Sequence, residues 1–155
     1  MPETIKTMKI RPIGVIHSPF KTREGTPIQP FRSDKIGRVE VFEKYAAGLK
    51  DILGFSHVIL IYRFHKSRGY KLLVKPFLDD KKHGLFATRA PLRPNQIGMS
   101  VVRLLGQKKN VLLVKGIDAL DGTPLLDIKP YVPQFCPDKR VRIGWLKNKL
   151  KRISR

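Results

Sequence analysis

The stretch IGMSVVRLLGQKKNVLLVKGI, residues 97 to 117, holds two runs rich in Val, Leu and Ile with a short polar interval between them. Residues 97 to 105 and 110 to 117 each have the length and the β-branched content of a strand, and Gly and Asn mark the turn that joins them. Working outward, similar stretches recur at 10 to 16 (IRPIGVI), 36 to 42 (IGRVEVF), 57 to 64 (HVILIYRF) and 84 to 88. Between the second and third of these, EKYAAGLKDILG places Tyr45, Leu49, Ile52 and Leu53 at helical spacing and ends on Gly54, which predicts one short helix. Strands joined by short turns, without regular alternation of strand and helix, describe a mainly β chain that forms a small barrel or sandwich rather than a doubly wound sheet. No GxGxxG or Walker sequence follows any strand, which argues against a Rossmann-type nucleotide site.

The chain has 155 residues, enough for one domain with its own core. Thirty-two Lys and Arg against 12 Asp and Glu leave a formal charge of +20, a self-repulsion that points to a polyanionic partner, nucleic acid ahead of an anionic membrane. A single cysteine, Cys136, excludes an intramolecular disulfide, and no Cys and His cluster has the spacing of a zinc site, so no metal is expected. The opening MPETIKTMKI lacks an apolar signal core and no apolar run is long enough to span a bilayer, which predicts a soluble cytoplasmic protein. Residues 1–7 read as an N-terminal extension, 8–137 as the β domain, and 138–155 as a basic tail. From Asp138 onward, eight Lys or Arg stand against one Asp, and Val141, Trp145, Leu146, Leu150 and Ile153 fall near one helical face. The tail is therefore predicted to be partly helical, with Lys139, Arg140, Arg142, Lys147, Lys149, Lys151 and Arg152 facing RNA, the alternative being a solvated terminal helix with no partner.

Two polar stretches stand apart from the strand pattern: FATRAPLRPNQIGMS, from Phe86 to Ser100, and DGTPLLDIKPYVP, from Asp121 to Pro133. Pro fixes φ and Gly admits conformations closed to other residues, so both runs specify rigid, irregular backbone of the sort that holds ligands. Pro91 and Pro94 exclude a regular helix, so the loop alone sets how Arg89 and Arg93 point. An Arg fork matches a carboxylate or phosphate. In LLDIKPYVP, Asp127, Lys129 and Tyr131 alternate to one side of an extended chain, either as a pocket wall or as a simple surface pair of Asp127 with Lys129.

These motifs, together with IGVIHSPF (Ile13 to Phe20), TPIQP (Thr26 to Pro30) and GFSHVILIYRFHK (Gly54 to Lys66) in the same order, resemble the TrmO-type (TsaA-like) S-adenosylmethionine-dependent tRNA methyltransferases. The resemblance covers roughly residues 8 to 145. It implies a single-domain, seven-stranded antiparallel β-barrel that forms a homodimer, binds S-adenosylmethionine near the subunit interface, and methylates N6 of threonylcarbamoyl-adenosine beside the tRNA anticodon. It further implies cofactor contacts from Pro27, Ile28 and Gln29, from His65 and Lys66, from Arg89 and Met99, and from the turn Asp121, Gly122 and Thr123. Three positions depart from the family's wording: Ile28 replaces a frequent Arg, Lys66 a frequent Gln, and Gln96 the Pro of RPNPIG.

A pocket for S-adenosylmethionine needs a cation, an oxygen-rich patch and a slot for the adenine. Arg89 would pair the carboxylate, Asp121 or its turn's carbonyls would face the ammonium or ribose, and Met99 and Leu120 would flank the ring, although Met99 also reads as core. The N6 lone pair is delocalised, so a proton acceptor would help; Asp127 and Tyr131 are the candidate catalytic residues, with Asp121 and His65 as alternatives. A noncatalytic basic β-barrel that binds RNA, and a methyltransferase with another acceptor, are the competing functions.

Overall fold

The computed structural model describes residues 7–22 and 33–150. Eight strands are formed: β1 (Gly14–His17), β2 (Ile36–Val41), β3 (His57–Arg63), β4 (Leu73–Val74), β5 (His83–Gly84), β6 (Ile97–Lys108), β7 (Val111–Lys115) and β8 (Thr123–Pro130). Six of them close into an antiparallel barrel in the order β1-β2-β7-β6-β3-β8, with β8 pairing back onto β1. Closure leaves no open edge, which a sheet of such short strands would otherwise expose. The expected antiparallel barrel is present, with six strands among the described residues where the resemblance implies seven, and β4 and β5 pair as a separate ribbon within the excursion between β3 and β6.

Period-two alternation decides which side chains fill the interior. Val58, Leu60 and Tyr62 point inward from β3, Ser100, Val102 and Leu104 from β6, and Leu112 and Val114 from β7. Ile16, Val39, Val41, Ile117 and Leu125 complete the core. Small residues set how closely strands approach. At Gly14 any Cβ would collide with the Glu40 carbonyl, so β1 can reach β2 there only with glycine.

Three sequence expectations change. The segment from Glu43 does not form one α-helix but two 3-10 segments, Glu43–Leu49 and Ile52–Gly54, separated where Asp51 takes φ +67°. Each is too short to offset the cost of nucleating an α-helix; Leu49, Tyr45 and Ile52 still pack on the core, but Leu53, expected with them, is exposed. Residues 85–87 of the expected strand 84 to 88 instead form a 3-10 turn, because Thr88 folds its hydroxyl back onto the Leu85 carbonyl at 2.8 Å. The tail shows one 3-10 turn, Gly144–Leu146, in place of a helix up to residue 150. Left-handed backbone at Gly144 and Asn148 interrupts it, and Val141 and Ile143 are exposed rather than aligned on a buried face. Residues 151–155 lie outside the described region.

Candidate functional site

The loop from Thr88 to Gln96 is tied down by its own residues. Arg93 donates from Nη1 to the carbonyls of Thr88 and Ala90, both at 3.0 Å, and its guanidinium lies 5.9 Å from the Phe86 ring centre. Thr88 receives the Ala90 amide at 3.2 Å, and Gln96 donates to the Gly69 carbonyl at 3.1 Å. A further clamp comes from the tail, where the Trp145 indole donates to the Ala87 carbonyl at 2.7 Å and stacks on His83 at 4.6 Å. The two arginines therefore divide the work. Arg93 holds the loop, while Arg89 is exposed and makes no side-chain hydrogen bond or ion pair among the described residues.

Within reach of Arg89's charge lies a polar cluster that sequence reasoning missed: Tyr62 from β3, Ser100 from β6, and Asp118 from the β7–β8 connection. Ser100 donates to Asp118 Oδ1 at 2.5 Å, and the Tyr62 hydroxyl sits 2.7 Å from Ser100 Oγ. Burial pushes the Asp118 carboxyl up to about 6, against the opposing pull of the Ser100 hydroxyl and the Arg89 charge. Burial also raises the Tyr62 phenol, helped by the charge of Asp118. Gly98 makes room for this arrangement, since a Cβ there would stand 2.6 Å from both the Tyr62 and Phe64 rings, which meet edge to face at 5.6 Å. The available signal was periodicity: Gly98 and Ser100 share the inward phase of Val102, so a hydroxyl was bound to enter the interior. Nothing local, however, joins Asp118 to them.

The DGTP turn is locked onto the HSPF segment. Asp121 Oδ1 accepts the Ser18 amide at 2.9 Å, Oδ2 takes the Lys21 ammonium at 2.5 Å, and the Asp121 amide donates to the Phe20 carbonyl at 2.7 Å. The Lys21 bond, then the Ser18 amide, hold the Asp121 carboxyl below its usual range. Gly122 turns the chain at φ +79°, and Thr123 closes the turn through the Leu120 carbonyl at 2.5 Å. Both Asp121 oxygens are thus engaged within the fold.

The remaining candidates lie apart. His65 follows β3, and its imidazole is lowered by burial, then by the charges of Lys66 and Arg63, so it favours the neutral form. Met99 points outward from β6 with 41% of its surface exposed, opposite Ile61, rather than into the core. Asp127 lies across Ile61 from Met99, on the same outer row, and pairs with Lys129 at 2.9 Å. Tyr131 packs edge-on to His57, at the opposite end of β3 from Arg63 and His65, about 20 Å along the strand. Of the tail residues, Lys139, Arg140, Arg142 and Lys147 are exposed, while Lys149 reaches Asp79 at 3.5 Å. Pro27, Ile28, Gln29, Lys151 and Arg152 lie outside the described residues. Among the described residues, no group of three His, Cys, Asp or Glu is arranged to hold a metal.

Comparison with known proteins places this geometry in context. Residues 15–136 match the family model of the tRNA-methyltransferase O N-terminal domain. A "Probable S-adenosyl-L-methionine-binding protein" of Pyrococcus abyssi is 56% identical over 146 residues, covering 94% of this chain and 79% of that one. The tRNA (adenine(37)-N6)-methyltransferase of Mus musculus is 38% identical over 132 residues, 80% of this chain but 31% of that protein. The crystal structure of TrmO from Pseudomonas aeruginosa superposes with a TM-score of 0.74 at 39% identity, covering 90% of this chain and 62% of that one.

Proposed function

The chain belongs to the family of tRNA-methyltransferase O N-terminal domains, and we propose that it uses S-adenosylmethionine to methylate N6 of an adenosine in tRNA, the acceptor being threonylcarbamoyl-adenosine immediately 3′ of the anticodon. The observation that carries this reading is Arg89: a guanidinium with no side-chain hydrogen bond or ion pair among the described residues, displayed on a loop that Arg93 holds in place. The donor set suits a methionine head group, with Arg89 for the carboxylate and the DGTP turn, left-handed at Gly122, for backbone contacts. Relatives named for S-adenosylmethionine binding and for tRNA adenine-N6 methylation support the cofactor and the reaction. The charge of +20 suits a tRNA substrate.

When bound, the cofactor supplies an electrophilic methyl on sulfur, so positioning provides much of the acceleration. The chain's own part is to bind, orient and take up a proton. Arg89 grips the carboxylate and Arg93 keeps the loop from yielding. His65, favouring the neutral form, and Asp127, on the outer row beside Met99, are the candidate proton acceptors of one protomer. Tyr131 stands too far along β3 from Arg89 to serve the same site, and would contribute from a second protomer. A homodimer would cover the outer face of β3 and β6, where Ile97 and Met99 are 40% and 41% exposed beside Ile59 and Ile61. The expected compartment is the cytoplasm, where the tRNA substrate is found.

Methyl transfer from labelled S-adenosylmethionine to tRNA with and without the threonylcarbamoyl group tests the reading. Transfer is expected to the modified tRNA alone. Equal transfer to both would overturn the acceptor, and no transfer to either by protein that binds the cofactor would overturn the reaction.

A further inference from the structure

Among the described residues Asp118 forms no ion pair, in a chain where Lys and Arg outnumber Asp and Glu by 32 to 12. Three residues on, Asp121 is held by Lys21; on the tail, Asp138 is held by Arg140. No ion pair closes on Asp118 among the described residues. Its neighbours are instead two hydroxyls, Ser100 and Tyr62, both of which act on the carboxyl. A serine hydroxyl has one proton, and Ser100 gives it to Asp118 Oδ1, so the Tyr62 hydroxyl must be the donor to Ser100. Both O–H dipoles then point toward the carboxylate and favour its ionised form. Arg89 acts on Asp118 through its field without closing an ion pair, and it too has no ion pair or side-chain hydrogen bond among the described residues.

Opposite charges placed near one another and left unclosed are what a zwitterion requires: a cation for its anionic end and an anion for its cationic end, each held by the protein. A carboxylate and a guanidinium that simply stabilised the fold would be expected to join. We propose that Asp118, oriented by Ser100 and Tyr62, receives the α-ammonium of the amino-acid end of the cofactor while Arg89 receives its α-carboxylate. Asp121 is the poorer candidate, since Lys21 already balances its charge and Ser18 holds its other oxygen. This rests on the chain binding S-adenosylmethionine and names the group that reads its cationic end.

Calorimetry with S-adenosylhomocysteine and with its analogue lacking the α-amino group separates the alternatives. Wild type should bind the amino-bearing ligand about 10- to 100-fold more tightly, as expected for a charge-assisted hydrogen bond. Asp118→Asn, which keeps the shape and still accepts from Ser100, should lose that preference while binding the desamino analogue as wild type does. Ser100→Ala should reduce the preference part of the way, through misorientation of Asp118. An Asp118→Asn protein with native near-ultraviolet circular dichroism that retains the full preference would overturn the assignment. If wild type binds neither ligand, the cofactor reading itself fails, which is a distinct outcome. Should Asp118→Asn not fold, Ser100→Ala carries the test alone, and an unchanged preference there overturns the proposal.

Discussion

Asp118 and Asp79 are the same residue in two parts of the molecule, and their surroundings push them in opposite directions. Asp79, at the ribbon of β4 and β5, accepts His83 Nε2 at 2.8 Å and the Asp80 amide at 2.8 Å, with Lys149 at 3.5 Å. The His83 bond leads in drawing its carboxyl down to about 2. Asp118, in the buried cluster, goes up to about 6 because burial outweighs two hydroxyls and the Arg89 charge. One carboxylate is satisfied by the chain and stitches the tail to the ribbon. The other costs the fold something and has no ion pair among the described residues. A stiff, self-satisfied frame around an unsatisfied charge is the pattern of a binding site.

The largest effect should come from breaking the buried side of this contrast. A methyl at Gly98 would sit 2.6 Å from the rings of Tyr62 and Phe64, and in a closed barrel neither ring has an easy retreat. Overpacking of this kind costs about 3 kcal/mol. Gly98→Ala should therefore lower the thermal midpoint by about 6–12 °C and separate Tyr62 from Ser100. A midpoint within a degree or two of wild type would mean that the Tyr62 ring is not held against Gly98.

Next is the sign of the Asp118 effect. Its carboxyl titrates near 6 when folded and near the ordinary 3.9 when unfolded, so between these values the folded state holds a proton that the unfolded state has released. Stability from this group should rise as pH falls from about 6 toward 4, and its cost is fully present above about 6. Asp118→Asn removes that cost, so it should stabilise the protein at pH 8 by about 2 kcal/mol, or about 4–8 °C, and flatten this part of the pH profile. Thermal unfolding of both proteins from pH 4.5 to 8 measures it. A mutant less stable than wild type at pH 8 would show that the carboxylate already has its cation.

How legible these regions were in the sequence follows from their range. The barrel strands announce themselves through local alternation, as in HVILIYR and IGMSVVR, and the Arg loop through its prolines. Whether Arg93 ties its own loop was open in the sequence; two hydrogen bonds to the Thr88 and Ala90 carbonyls show that it does. The Tyr62, Ser100 and Asp118 cluster was not legible, because the register Tyr62 to Gly98 and the path after β7 bring together residues 38 and 18 positions apart. The two helices were overread for a related reason. Apolar spacing near 3.6 marks a packed face, but left-handed backbone at Asp51, Gly144 and Asn148 stops the hydrogen-bond ladder before an α-helix can run. Trp145 was legible as the tail's anchor, yet its partners, His83 and Ala87, lie 62 and 58 residues away.

The smallest expected effect lies on the self-satisfied side. His83→Ala removes the stack under Trp145 and the main hydrogen bond on Asp79, both near the surface, so global stability should barely change. The tail should nonetheless loosen, and Trp145, the one tryptophan of the chain, reports it directly through red-shifted fluorescence and faster proteolysis after residue 137. In wild type, Asp79's low value means that its contribution is present above about 4 and is lost as pH falls toward 2. The wild-type fluorescence should therefore hold through mild acid and shift only at the acid extreme. Because Trp145 holds Ala87, two residues before Arg89, loosening the tail should also weaken cofactor binding slightly, by about two- to threefold if about half a kcal/mol of loop ordering is lost. If fluorescence shifts while affinity stays level, the loop's own lacing through Arg93 is sufficient without the tail.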